Sequence, residues 1–275
     1  MTYATVMVNL QLGRSNANLV QVAGDLAERF GSGVIGIAAC QPMQIVYGDT
    51  YVPTNLIEED RKQIDRELAA TEAEFRSTLQ GRISRLEWRS TVTVHSLSRY
   101  LARQARSADL LITGVDPDVS LFDMTRHTDL GDLVMQAGRP VLVVPTAAKV
   151  KFDCVLVGWK DARESRLAVL NALPFLAKAA QVTVAEIAAE KDLAEARTDV
   201  ADVVGWLKAH GVKAEPLAVA AQGNDAAQLS AIAQDQKADL VVAGAYGHSR
   251  LREWILGGVT RDLLLHTGRC SLLSH

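Results

Sequence analysis

The sequence predicts an α/β protein made of two small doubly wound domains in tandem, each on a five-stranded parallel sheet. Three observations carry that expectation. Short apolar runs alternate with helical stretches along all 275 residues, the pattern of a parallel sheet covered by helices on both faces. Ala108-Asp-Leu-Leu-Ile-Thr-Gly114 recurs as Ala238-Asp-Leu-Val-Val-Ala-Gly244, and the same offset of 130 pairs Asp132-Leu133 with Asp262-Leu263 and Gly138-Arg139 with Gly268-Arg269. A second offset, 149, sets Val6-Met-Val-Asn-Leu10 against Val155-Leu-Val-Gly-Trp159. The chain therefore reads as a duplication with halves 1–147 and 151–275, and the 19 residues by which the two offsets differ belong in Gln41–Gly81 of the first half.

In the first half, strands are expected at Tyr3–Leu10, Gly33–Cys40, Leu86–Val94, Asp109–Gly114 and Pro140–Val144. Leu19, Val22, Ala23, Leu26 and Phe30 recur at helical spacing, with Gly31 placed to cap the helix. Further helices are expected at Asn55–Gln80, Ser96–Ser107 and Thr128–Ala137. The second half repeats the order, with strands at Asp153–Trp159, Gln181–Ile187, Lys213–Ala220, Asp239–Gly244 and Cys270–Ser274. Its helices are expected at Arg163–Ala180, kinked at Pro174, and at Asp192–His210, Asp225–Gln236 and Gly258–His266. Asn224 and Gly211 read as caps. Sheets of this kind bind ligands beyond the carboxyl ends of their strands, where the strand order switches.

Composition narrows the partners. The chain is 48% hydrophobic and 22% charged, and 29 Lys plus Arg against 32 Asp plus Glu leave a net charge of -3. That balance gives no electrostatic reason to expect nucleic acid or an anionic membrane. Cys40, Cys154 and Cys270 are widely spaced and form no C-x-x-C pair, which points to a reducing compartment. No basic leader with a cleavage pattern opens the sequence and no apolar run approaches membrane-span length, so a cytoplasmic location is expected.

The stretch that carries chemistry is Gly244-Ala-Tyr-Gly247-His-Ser-Arg-Leu-Arg-Glu-Trp-Ile-Leu-Gly257-Gly258, directly after an apolar strand. Glycine lets a ligand approach the backbone without a β-carbon in the way, and N–H groups at a helix start bind anions. Two glycines inside a helix would cost about 2 kcal/mol relative to alanines, so Gly257-Gly258 reads as a helix start. The bland alternative is turn punctuation. His248, Arg250, Arg252 and Arg261 lie near the glycines and are open to either phosphate contact or simple solvation. The sequence holds no P-loop, no G-x-G-x-x-G after a first strand and no G-x-S-x-G elbow. His266 with Cys270 supplies two ligands, too few for a zinc site.

This glycine spacing resembles the nucleotide-binding signature of the universal stress protein family: Gly, two residues, Gly, nine residues, Gly, then Ser or Thr. Gly244, Gly247 and Gly257 match, and Gly258 stands where the family has the hydroxyl residue. The resemblance covers the chain twice, tandem members being a known form. It implies strand order 3-2-1-4-5 in each half, the halves packed as an internal pseudo-dimer and, at a further level, a homodimer. It also implies an adenine nucleotide, ATP first among them, held in the second half. The glycines would meet the phosphates and ribose, and Ile187 would meet adenine through its backbone. Where ATP-binding members carry an aspartate after the first strand, this chain has Lys160, with Asp161 one residue late. Lys160 reads either as a phosphate contact or as a solvated loop lysine.

The first half departs further. At offset 130 the four glycines fall on Gly114, Pro117, His127 and Thr128, and Val115–Asp123 carries three carboxylates. A proline without an N–H, a bulky histidine and three acids oppose a polyphosphate, so this half is expected to keep the fold without the site. Three functions are carried forward: a nucleotide-binding stress or signalling module, an interaction scaffold of the same fold without nucleotide, and a slow ATP hydrolase. No residue reads as a catalytic base, so hydrolysis, if present, is expected to be slow.

Overall fold

The computed structural model describes residues 2–43, 54–115, 125–146, 151–245 and 268–275. Two compact units emerge, one of Tyr3–Ala137 and one of Gly138–His275 together with the first two residues.

In the first unit the chain runs β1 (Thr5–Asn9), α1 (Ala17–Phe30), β2 (Gly33–Cys40), α2 (Thr54–Leu79), β3 (Leu86–Val92), α3 (Leu97–Gln104), β4 (Leu110–Gly114) and α4 (Leu130–Ala137). The strands are parallel in the order β3-β2-β1-β4. All eight residues of β2 are buried, as a strand covered on both faces must be. The apolar face of α1 closes over the sheet, and Gly31 ends the helix in the left-handed conformation at φ 70°. Ser96 caps α3 by accepting a hydrogen bond from the Arg99 N–H.

The second unit contains β5 (Val141–Val144), β6 (Cys154–Trp159), α5 (Arg163–Leu176), β7 (Gln181–Ala188), α6 (Leu193–Ala209), β8 (Ala214–Ala220), α7 (Asp225–Asp235), β9 (Leu240–Gly244) and β10 (Cys270–Ser274). The five strands of the second sequence half are parallel in the order β10-β9-β6-β7-β8, which is 3-2-1-4-5 read from the far edge. β5, which ends the first sequence half, pairs antiparallel with β10 in the register Val141↔Leu273, Leu142↔Leu272 and Val143↔Ser271. Pairing starts after Pro140, whose nitrogen has no hydrogen to donate.

Element boundaries follow the expected ones within a few residues, with one larger difference. α5 ends at Leu176 where the helical reading continued to Ala180. Pro174 sits inside its last turn, and the Ala180 N–H is taken by the Asp153 carbonyl, which starts the next strand. Asn224 caps α7, accepting from the N–H groups of Ala226 and Ala227, and Gly211 follows α6 at φ 77°. The expected helix Gly258–His266 lies outside the described residues. Among those described, no helix is long and apolar enough to cross a membrane, and all three cysteines are free thiols.

The repeated Ala-Asp-Leu motif does the same work in both halves. Asp109 Oδ2 accepts from the N–H groups of Ala4 and Thr5 at 2.8 and 3.0 Å. Asp239 accepts from those of Asp153 and Cys154 at 3.0 and 3.3 Å. Each carboxylate thus ties the foot of one strand to the foot of its neighbour, at positions related by both offsets. Burial raises the Asp239 carboxyl above its usual range, and the two backbone donors oppose that rise. Asp109→Ala and Asp239→Ala should each lower unfolding free energy by about 1–3 kcal/mol, because each orphans two backbone donors. Urea unfolding of the two variants checks this.

Candidate functional site

The carboxyl ends of β6, β7 and β9 lie side by side: Gly158 is in register with Ala243, and Trp159 with Glu186. The loop after β6 leads into α5, whose N-cap position is Ala162. Alanine has no side-chain acceptor, so the first turn of α5 receives no side-chain cap. That turn presses on the end of β9. A β-carbon at Gly244 would lie 2.6 Å from both the Glu164 carbonyl carbon and the Ser165 backbone nitrogen. Gly244 is therefore glycine because a helix backbone occupies the space a side chain would need.

The remaining predicted positions distribute around this edge. Lys160 and Asp161 are exposed on the loop after β6, and Asp161 is ion-paired with Arg166, one turn into α5. Ile187 lies near the end of β7, half-buried and in register with Val219 of β8. Gly247, Gly257 and Gly258 lie outside the described residues, as do His248, Arg250, Arg252 and Arg261. The structure thus brings Gly244, Lys160, Asp161 and Ile187 to one edge of one sheet.

Two side chains at this edge were not among the predicted residues. Glu186 is 7% exposed and its Oε2 has no hydrogen-bond partner; the Nε1 of Trp159, its register neighbour, is likewise buried without one. Burial pushes the Glu186 carboxyl up to about 7, Asp199, Asp161 and Glu195 push in the same direction, and Lys160 opposes them. A carboxyl in such surroundings holds its proton into the neutral range. The only sequence signal was a lone acid in an otherwise apolar strand, Val182-Thr-Val-Ala-Glu-Ile187.

The equivalent edge of the first half is furnished differently. The loop after β1 is tied down by α2, which runs 26 residues against 17 in its counterpart α6. Glu74 of α2 accepts from the Asn16 N–H at 3.0 and 3.1 Å and from the Ser15 hydroxyl at 3.0 Å, placing a carboxylate on the N-cap residue of α1. One turn pair earlier, Glu67 faces Gly13 and holds Arg126 at 2.9 Å, with side chains only 14% and 16% exposed. Asn16 completes the loop by accepting from the Gln11 N–H and donating to the Gln11 carbonyl. Internal carboxylates therefore sit against the loop and helix start where an anion would otherwise be received.

Residues 151–273 match the model of the universal stress protein family. Over the whole chain the fold is similar to that of a universal stress protein from Archaeoglobus fulgidus DSM 4304, with a TM-score of 0.73 at 12% identity, covering 98% of this chain and 95% of that one. A protein of unknown function from Pseudomonas aeruginosa PAO1 gives a TM-score of 0.60 at 16% identity, covering 99% and 92%. At these identities the likeness is one of fold. No match was found among the curated proteins.

Proposed function

We propose, from the match of residues 151–273 to the universal stress protein family model, that the chain binds one adenine nucleotide, ATP, at the carboxyl edge of the second-half sheet. The observation that carries this reading is the contrast between the two edges. In the first half Glu74 and Glu67 of α2 sit against the loop and the start of α1, whereas in the second half, among the described residues, no carboxylate of α6 bonds the start of α5, which lies against Gly244 and carries only its own Glu164 in its first turn.

Gly247, Gly257 and Gly258 would supply backbone N–H groups to the phosphates, with Gly244 setting the turn against α5. Ile187 would meet the base through its backbone. Lys160, exposed beside α5, would approach a phosphate, and Asp161 would reach the ribose only by giving up Arg166. The role proposed is binding for stress response or signalling.

Isothermal titration of the full chain with ATP should show one site per chain. Gly257→Val should weaken binding at least tenfold with an unchanged melting temperature, because a side chain there blocks backbone contact with phosphate. Thr128→Ala, at the matching position of the first half, should leave the isotherm unaltered. An isotherm without heat at high protein concentration would favour the scaffold reading, in which the same fold serves a protein partner.

A further inference from the structure

Glu186 and Trp159 present a polar pair that the fold itself does not use. They are register partners on adjacent parallel strands, so their side chains leave the same face of the sheet about 4.8 Å apart. An indole N–H only donates, and a carboxyl accepts through its carbonyl oxygen whether or not it holds a proton. Among the described residues, Trp159 Nε1 and Glu186 Oε2 have no partner, although both are buried. Unpaired buried polar atoms are costly, and these two lie side by side at the carboxyl end of the sheet.

The charges around the pair decide what it receives. Asp199 and Glu195 of α6 and Asp161 of the loop after β6 bear on Glu186, and of the described cations only Lys160 offsets them. An anionic group is repelled from such a place. A neutral group with an N–H donor is welcome there, and an acceptor beside it would serve the indole. The phosphate end of a nucleotide then belongs toward β9 and the base end toward β7.

Resting on the nucleotide reading, we infer that Glu186 and Trp159 together read the amino-bearing edge of the nucleobase: the exocyclic amine donates to the Glu186 carboxyl while a ring nitrogen accepts from the Trp159 indole. Glu186 is thereby a specificity-determining residue, and it distinguishes a base with that amine from one without it.

The test titrates the full chain with ATP and with purine riboside 5′-triphosphate, which has the same ribose and triphosphate but no exocyclic amine. ATP should bind at least about tenfold tighter, since the analogue leaves the carboxyl unpaired. Glu186→Met, which keeps the length and removes the acceptor, should bring the two affinities together. Trp159→Phe should weaken both nucleotides alike and preserve their ratio, which keeps the assignment testable if Glu186→Met does not fold. Equal affinity of the wild-type chain for the two nucleotides, or a ratio that survives Glu186→Met, overturns this inference and leaves the nucleotide reading standing. Binding of neither nucleotide overturns both.

Discussion

Gly244→Val should lower the unfolding free energy by at least about 3 kcal/mol, measured as a loss of denaturation midpoint in urea. The added side chain has no rotamer that helps, because the conflict begins at the β-carbon, 2.6 Å from two backbone atoms of α5. Relief requires α5 to move as a body, and that helix packs with Ala168, Val169, Ala172 and Leu173 buried. Gly244→Ala should therefore cost nearly as much, a result that simple crowding by a large side chain does not give. A loss of nucleotide binding in such a variant would report a broken fold, so Gly244 cannot by itself separate phosphate contact from stability.

A second large effect is set by pH. The Glu186 carboxyl is raised from 4.5 to about 7, chiefly by burial. A folded value above the unfolded one means that the native state holds a proton the unfolded chain has already released. The stabilisation is complete below about pH 4.5 and is lost as pH rises through 7. The gap corresponds to about 3 kcal/mol between the two ends of that window. Glu186→Gln should remove this slope, so that the variant gains stability relative to the wild type as pH climbs from 5 to 8. Unfolding free energies at several pH values, with both proteins compared at each, measure it; parallel curves would mean that Glu186 ionises as freely in the native state as in the unfolded chain.

The strand and helix order was legible because it rests on local signals. β2 and β10 begin and end at the residues that the apolar runs mark, and Gly31 and Asn224 cap the helices they were expected to cap. The duplication was legible because Asp109 and Asp239 are held in place by the same backbone contacts. Glu186 was not, since its meaning depends on register with Trp159, and no spacing within one strand reports what lies across from it. The carboxylates of α2 were hidden for a similar reason. Glu67 and Glu74 lie in the helix expected at Asn55–Gln80, to which no role was given, yet they reach Arg126 and Asn16 through contacts distant in sequence. Gly244 was singled out as a glycine that lets a ligand approach, but its crowding against α5 appears only once the helix is docked.

The antiparallel seam between β5 and β10 has a consequence for biosynthesis. β5 emerges from the ribosome before every other element of its compact unit, while its partner Cys270–Ser274 is the last of them to appear. Throughout synthesis of the intervening strands and helices, Val141-Leu-Val-Val144 has an apolar edge with no mate. Closing so long a loop is entropically slow, and an unmated apolar edge invites pairing between nascent chains on one message. The seam can therefore close only after Cys270–Ser274 has left the ribosome, and the interval before that step is when a holdase chaperone has the most to protect.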